Sequence, residues 1–322
     1  MPLSCGVSNI NAMNQGPFVS VVVPCYNHAK YLPEALQSVL EQTLPLWECI
    51  IVNDGSPDNT SEVARDWVAR DARFRLVEKP NGGLSSARNA GIKAAIGEYI
   101  LPLDADDILH PRFIEETIAV ARSTQEFAID GVVVSTHVKA FGESSWIFES
   151  SITTVSSLVC RNTIVCASLF TKSLWNRVGG YDENFKQGFE DWEFWLRCAD
   201  SGATFKIYPE PLFNYRQHKS SMLTEAWKNK GKLMREMLRK NRGIFIRNIE
   251  SAVCDREERI IDLEKQLSIL SADIMAERNK VLSSKDFVVG RWILAPARLL
   301  ARIYKSVCHL FFQHHIPNRS DR

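Results

Sequence analysis

The segment Phe18-Val-Ser-Val-Val-Val-Pro24 decides the fold, because it is a short, nearly continuous apolar run that is rich in valine. Such a run is typical of a strand buried in a parallel sheet, where both faces are covered. Apolar residues at helical spacing follow at 31–42, and a second strand-like run follows at 47–52. A strand, a helix and a strand in this order predict a β-α-β unit.

The same alternation continues to residue 103. Helices are predicted at 61–70 and 85–95, and strands at 74–78 and 98–103. This repetition predicts an α/β fold with a doubly wound, mostly parallel sheet of the Rossmann-like kind. Ligands of such sheets bind at the carboxyl ends of the strands, so the residues that follow each strand are the candidates for a functional site.

The rest of the chain is divided by composition. The mixed segment from 129 to 215 contains strand-like runs around a helix at 190–199, and it completes a first domain that is expected to span 18–223. Residues 1–17 are predicted to form a leader outside that domain, and 224–248 a basic helical connector.

A heptad repeat follows at 249–283. When Val253 is placed at position a, every a position up to residue 281 is apolar, while the d positions are leucine in the middle and charged at Arg256 and Glu277. This pattern predicts a coiled coil, and a homodimer is one assembly that would form it. The alternative is a long helix packed on its own domain.

The last segment, 284–322, is dense in large apolar residues and carries a net charge of +5, whereas the whole chain carries +1. Arg291, Arg298, Arg302 and Lys305 fall on one face of a helix, which predicts an amphipathic tail that binds a membrane surface. The alternative is a helix that docks on a protein. Because no apolar run is long enough to span a bilayer and no signal peptide is present, we expect a cytoplasmic protein, peripheral on the inner face of the cell membrane.

The composition excludes other classes. The 322 residues are 45% hydrophobic and 24% charged, which is ordinary for a globular protein and excludes wholesale disorder. A net charge of +1 argues against a protein that binds nucleic acid through bulk charge, and no nucleic-acid partner is expected. The eight cysteines are scattered without a Cys-x-x-Cys pair, which argues against a zinc ribbon and fits reduced thiols.

Acidic residues follow the strand at 98–103. Asp104 and Asp106 are separated by one residue, so their carboxylates can point toward one cation, and such hard oxygen ligands suit Mg²⁺ or Mn²⁺. His218 is a further candidate metal ligand. The alternatives are an Asp-rich turn that only caps a helix and a histidine on the surface.

Three other polar segments are candidates for chemistry. Asp54 lies in an Asn-Asp-Gly-Ser sequence that ends a strand, where it either accepts a hydrogen bond from a base or ribose or forms a plain turn. Arg88 follows Gly82-Gly83 at the start of a helix, where it either pairs with a phosphate or belongs to a helix-entry loop. Glu190 and Asp191 open a helix, and acids there often serve only the helix dipole.

Taken together and in order, these segments resemble glycosyltransferase family 2, whose members are inverting nucleotide-sugar transferases of the GT-A fold. The resemblance covers roughly two-thirds of the chain, from residue 19 to 221. The matching segments are Val21–Asn27, Ile51–Ser56, Gly82–Gly91, Leu103–Asp107 and Glu190–Trp192. It implies a nucleotide-sugar donor, a Mn²⁺ or Mg²⁺ cofactor and a role in cell-surface polysaccharide synthesis.

The resemblance also implies roles for individual residues. Those expected to bind the donor nucleotide are Pro24, Tyr26, Asn27, Asp54, Arg88 and Asp104. Asp106 and His218 are expected to contact the metal. Asp191 is the expected catalytic base, with Glu190 beside it.

Processive members of the family carry a Gln-x-x-Arg-Trp motif and membrane-spanning helices. Here Trp227 follows Ala226, so the motif is missing. The resemblance therefore implies a non-processive transfer to a hydroxyl of a glycan or lipid-linked acceptor. The rival interpretations are a catalytically idle scaffold and a sugar nucleotidyltransferase, although the latter would need a glycine-rich loop where this chain has 25–30 without glycine.

Overall fold

The computed structural model describes residues 18–125, 130–151, 153–219 and 222–283. The predicted leader at 1–17 and the predicted tail at 284–322 lie outside these ranges. The chain divides into two compact units, 1–246 and 247–322, and each is considered by itself.

The first unit begins with the predicted alternation of strands and helices. The strands are β1 (Val19–Cys25), β2 (Trp47–Asp54), β3 (Phe74–Lys79) and β4 (Tyr99–Pro102). The helices between them are α1 (Leu32–Leu40), α2 (Thr60–Arg70) and α3 (Leu84–Ala94). Each element lies where the sequence predicted it, because continuous burial of the strands leaves a plain hydrophobic signal.

The second half of the unit contains further strands and helices, including the two longest of the described strands, Val132–Gly142 and Thr204–Gln217. In chain order they are β5 (Ile108–Leu109), α4 (Phe113–Gln125), β6 (Val132–Gly142), β7 (Ile147–Phe148), α5 (Val155–Cys160), β8 (Leu169–Thr171), α6 (Lys172–Val178), α7 (Glu190–Asp200) and β9 (Thr204–Gln217). Three helices follow, namely α8 (Met222–Lys228), α9 (Lys230–Lys240) and α10 (Arg242–Ser283).

The nine strands found among the described residues belong to one sheet, in the order β3-β2-β1-β4-β8-β6-β9-β5, with β7 paired to β6. The long pairings are parallel and join β1 to β2 and β4, β2 to β3, and β6 to β9. The antiparallel pairings are short. The strand order reverses between β1 and β4, and such a switch point opens a crevice for ligands at the carboxyl ends of the strands. The predicted fold class is confirmed.

Helix α3 packs very closely on this sheet. A Cβ atom built on Gly91 would lie 2.4 Å from Cγ1 of Val22 on β1 and 2.9 Å from Cγ2 of Val52 on β2. Only glycine fits between the two valines, so the helix axis stays near the strands. The first turn of α3 is thereby held next to the strand ends that form the candidate site.

The connector predicted at 224–248 is helical, but it is interrupted. Helices α9 and α10 meet at Asn241, whose side chain donates a hydrogen bond to Glu193 on α7. Ala226, Leu233 and Met237 are buried in the first unit. The domain boundaries drawn from the sequence stay predictions.

In the second unit, the described part of α10 carries the predicted heptad pattern on one continuous helix that ends at Ser283. The pairing of that helix with another in a coiled coil stays a prediction. Over the described ranges, no helix combines the length and the apolar character that crossing a bilayer requires.

Replacing Gly91 by alanine is expected to lower the free energy of unfolding by about 1–3 kcal/mol, because the new methyl group overlaps Val22 and Val52. Urea unfolding followed by circular dichroism measures this change. Lys93→Ala, at an exposed position of the same helix, is the control and should change stability by less than about 0.5 kcal/mol. Equal effects of the two variants would contradict the packing described.

Candidate active site

The candidate site lies at the carboxyl ends of β1, β2 and β4, where the loops after the three strands approach the first turn of α7 and the end of β9. The loop after β4 carries Asp104, Asp106 and Asp107. Glu190 and Asp191 form the first turn of α7, and His218 follows β9. Parallel strands place their carboxyl ends along one edge, which explains why these distant segments of the sequence meet.

The loop after β1 is tied to the loop after β2. The backbone N–H of Asn27 donates to Oγ of Ser56 at 2.7 Å, and the N–H of Ala29 donates to Oδ2 of Asp58 at 2.9 Å. Asn27 has a positive φ of 58°, and the preceding Tyr26 is 50% exposed. The ring of Tyr26 therefore lies outside the core, on a loop that hydrogen bonds hold in place.

Two members of the predicted nucleotide pocket are buried. Pro24 is buried in β1. The carboxylate of Asp54 accepts hydrogen bonds from Nζ of Lys79 at 2.5 Å and from the backbone N–H groups of Gly82 (3.0 Å) and Gly83 (2.8 Å). These contacts make Asp54 the anchor of the loop that enters α3, and its contact with the donor stays a prediction.

Arg88 is a buried charged group of the site, at 1% exposure. One guanidinium nitrogen donates to Oδ1 of Asp104 at 2.8 Å and the other donates to Oε1 of Glu190 at 2.8 Å. Burial disfavours the charged form, but the two carboxylates outweigh it and raise the pKa of Arg88. The sequence predicted a phosphate contact for Arg88, whereas the structure places it beneath the site as the link between two acidic segments. A donor contact of Arg88 stays a prediction.

Asp106 lies in the more open part of the same loop. Its Oδ2 atom shares a hydrogen bond with Nε2 of His218 at 2.8 Å and lies 3.9 Å from Nδ1 of His28. Carboxylate oxygen suits Mg²⁺ and Mn²⁺, and imidazole nitrogen binds first-row divalent metals. All three side chains are partly exposed. The predicted metal pair is thus brought together, with His28 as a neighbour that the sequence analysis missed. The residues present fit a divalent cation.

A second group of potential ligands is less suited to a metal. Atoms of Asp104, Asp107 and Cys166 lie within 4.8 Å of one another, and Oδ2 of Asp107 has no hydrogen-bond partner. Burial, together with the neighbouring carboxylates, raises the pKa of Asp107 and of Cys166. Because a metal binds only the deprotonated groups, these raised pKa values oppose metal binding, and the more open pair of Asp106 and His218 is the better candidate for a metal site.

Arg216 at the end of β9 fixes the acidic loop. Its backbone N–H donates to Oδ1 of Asp107 at 2.8 Å, and its Nε donates to the carbonyl oxygen of Asp106 at 2.7 Å. A further nitrogen donates to Glu34 on α1 at 2.6 Å. This role could not be predicted from the sequence, because a single arginine in a strand has no spacing that marks a partner.

Asp191 lies on the first turn of α7 and is partly buried. Burial and the nearby charge of Glu190 raise the pKa of Asp191 to about 7, although Arg88 and a hydrogen bond from Asn162 lower it. Nδ2 of Asn162 donates to Oδ2 of Asp191 at 3.0 Å. A carboxylate with a pKa near neutrality is well matched to general-base catalysis.

The backbone at the start of α7 sets the direction of these two acids. Phe189, directly before the helix, has a positive φ of 65°, which is unusual for an aromatic residue. Trp192 is buried and its indole N–H donates to the carbonyl of Leu158 at 2.6 Å. As a result Glu190 contacts Arg88 while Asp191 contacts Asn162. The sequence placed both acids at the site but could not separate their contacts.

Comparison with known proteins identifies the family. The family model described as glycosyl transferase family 2 matches residues 20–178, and a model described as the N-terminal domain of galactosyltransferase matches 158–221. The uncharacterized glycosyltransferase EpsJ of Bacillus subtilis is 30% identical over 321 residues, covering 95% of this chain and 90% of EpsJ. The chain therefore belongs to glycosyltransferase family 2 and is a glycosyltransferase.

Two other similarities are partial. The hyaluronan synthase of Pasteurella multocida is 33% identical over 212 residues, and the match spans 64% of this chain but only 21% of the synthase. The crystal structure of residues 1–349 of S. aureus TarS with UDP-GlcNAc has a TM-score of 0.56 at 19% identity, over 65% of this chain and 61% of that TarS fragment. The TarS similarity supports the GT-A fold.

Replacing Asn162 by alanine removes a hydrogen bond that favours the charged form of Asp191, so the pKa of Asp191 is expected to rise. A base works only when deprotonated, so activity should increase with pH through about 7 in the native enzyme. In the variant this increase should lie about half to one pH unit higher. The pH profile of kcat/KM measures it, with exposed Asn184→Ala as the control. An unshifted profile would contradict the role of Asn162.

Proposed function

We propose that this glycosyltransferase moves one sugar at a time from a nucleotide-sugar donor to a hydroxyl of a glycan or lipid-linked acceptor, with inversion at the anomeric carbon. The observation that carries the proposal is the partly buried carboxylate of Asp191, with a pKa of about 7, one residue from the Glu190–Arg88–Asp104 ion pairs. These ion pairs connect the first turn of α7, which carries the candidate base, to the acidic loop that carries the candidate metal ligand. Arg88 therefore holds both groups in place.

In the proposed reaction, Asp191 removes the proton from the acceptor hydroxyl. The hydroxyl oxygen forms a bond to the anomeric carbon, and the bond from that carbon to the diphosphate oxygen breaks. The nucleoside diphosphate leaves with the electron pair. Because the acceptor attacks opposite the leaving group in a single step, the configuration inverts.

We assign the divalent cation, Mn²⁺ or Mg²⁺, to Asp106 and His218. The cation would supply positive charge to the departing diphosphate. Asp106 and His218 would hold it, and Arg216 keeps Asp106 in place through the loop backbone. The proposed donor contacts are the exposed Tyr26 and Asn27, the loop held by Asp54, and the acid Asp104 above Arg88.

The acceptor and the location of the enzyme are proposed from the relatives and from the sequence of the tail. A hyaluronan synthase and a chondroitin synthase among the relatives support a role in polysaccharide synthesis. We propose that residues 284–322 bind the cytoplasmic surface of the cell membrane, where a lipid-linked acceptor would be met. We further propose that α10 serves as a protein-binding helix and that the assembly is a homodimer.

The donor is identified by screening UDP-, GDP- and dTDP-sugars for release of nucleoside diphosphate by the purified enzyme, with Mn²⁺, Mg²⁺ or EDTA. One donor is expected to react, EDTA should abolish the release, and Asp106→Ala should reduce it by at least about a hundredfold. Asp66→Asn, which removes an exposed charge on α2, is the control and should leave the rate unchanged.

The same preparation is examined for binding of Mn²⁺ by electron paramagnetic resonance. Native protein should retain Mn²⁺ in the presence of UDP, and both Asp106→Ala and His218→Ala should lose it. Release of nucleoside diphosphate at the full rate in EDTA would contradict the metal assignment. A protein that binds no nucleotide at all would favour the scaffold interpretation over catalysis.

A further inference from the structure

The described part of α10 carries an apolar seam whose two ends are charged. The central layers are formed by Ile260, Leu263, Leu267 and Leu270, and the a residues Ile260 and Leu267 are 37% and 57% exposed. A charged d position lies beyond each end of this group. Arg256 lies on the N-terminal side and Glu277 on the C-terminal side. Both charged residues are exposed. An exposed seam of this kind is completed by another helix.

A parallel arrangement of two copies would be poorly matched at those ends. In a parallel coiled coil, equivalent positions face each other, so Arg256 would meet Arg256 of the second copy and Glu277 would meet Glu277. Both contacts place like charges together in the seam, which is unfavourable. Residues at the flanking e and g positions do not remove this repulsion between like charges, because they lie outside the core layers.

An antiparallel arrangement resolves both conflicts. Reversing one copy places a positions against d positions, so that Ile260 packs with Leu270 and Leu263 packs with Leu267 of the second copy. In that register Arg256 lies about one helical turn from Glu277 of the second copy, within reach of two long side chains. The like-charge contacts become contacts between opposite charges at both ends.

The flanking positions agree with this direction. Antiparallel helices bring g positions near g positions and e positions near e positions. Arg259 and Asp273 are both at g, and Glu250 and Arg278 are both at e. Each of these two pairs joins opposite charges when the copies run in opposite directions, whereas Glu264 at the centre faces Glu264 of the second copy. The parallel direction would also pair some flanking charges favourably, so it is the two charged d positions that distinguish the directions.

We propose that α10 forms an antiparallel homodimer, centred near Lys265, with a second copy of this chain. This inference extends the pairing proposed above and does not depend on the transferase activity. The second unit begins at Arg247, and the Arg247 residues of the two copies would then lie about 50 Å apart along the coiled coil. Each chain would enter the coiled coil from a different end.

The direction is tested by pulsed electron paramagnetic resonance on the full-length chain with a spin label at Cys254, which is exposed on α10. Cys5, Cys160 and Cys308 are replaced by serine in the background. The antiparallel register places the two Cys254 residues about 33 Å apart along the axis, whereas a parallel dimer would hold them within about 20 Å. A distance near 33 Å supports the proposal and a distance under 20 Å overturns it.

Charge reversal provides an independent test by sedimentation equilibrium. Arg256→Glu should weaken the dimer by about tenfold or more, because the new carboxylate faces Glu277 of the second copy. The double variant Arg256→Glu with Glu277→Arg should restore the native dissociation constant. Glu258→Arg, at the outward f position, is the matched control and should have no effect. In a parallel dimer none of these variants would change the affinity.

A chain that stays monomeric at all concentrations would also overturn the proposal. That outcome would indicate that the seam is covered within one chain, for example by residues 284–322. Donor turnover is measured in the same variants. Normal turnover in a monomeric variant would separate a failure of the dimer from a failure of the proposed function.

Discussion

The structure of the site depends on the burial of Arg88 between Asp104 and Glu190. Residues 88 and 190 are 102 positions apart in sequence, yet their side chains form a direct ion pair at 2.8 Å. Removing a guanidinium from water is costly, and only paired carboxylates in good geometry offset that cost. In return, the arginine holds together two acids that would otherwise repel each other, and with them the acidic loop and the first turn of α7.

This linkage gives neighbouring carboxylates different tasks. Glu190 and Asp104 are engaged by Arg88, and Asp107 is buried against Arg216. Asp191 instead accepts a hydrogen bond from Asn162 and has a pKa raised to about 7, and Asp106 pairs with His218. The environment of each acid, rather than its chemical type, separates a candidate base from a candidate metal ligand.

Much of the fold could be predicted because its signal is local. The valine-rich β1 and the apolar β4 are buried throughout, so each carries a continuous hydrophobic run, and the acids that follow β4 are adjacent in sequence. The contacts of Asp54 and Arg88 could not be predicted in the same way. Both side chains are satisfied by partners that approach only after the sheet has formed.

Single residues without a pattern were missed for the same physical reason. Asn162 and His28 acquire their roles through one tertiary contact each, to Asp191 and Asp106. The break between α9 and α10 was missed as well. Asn241 is compatible with a helix on propensity alone, but its side chain is fixed by Glu193 on α7.

We propose that Asp191 is the base of the sugar transfer, and Asp191→Asn tests this role in an assay that measures acceptor glycosylation and donor binding separately. Transfer should fall by about 10²–10⁴-fold, while the dissociation constant of the donor should stay within about twofold of native. The amide keeps the size of the carboxylate but cannot accept the proton. Transfer at a near-native rate would contradict the assignment of the base and, with it, the mechanism.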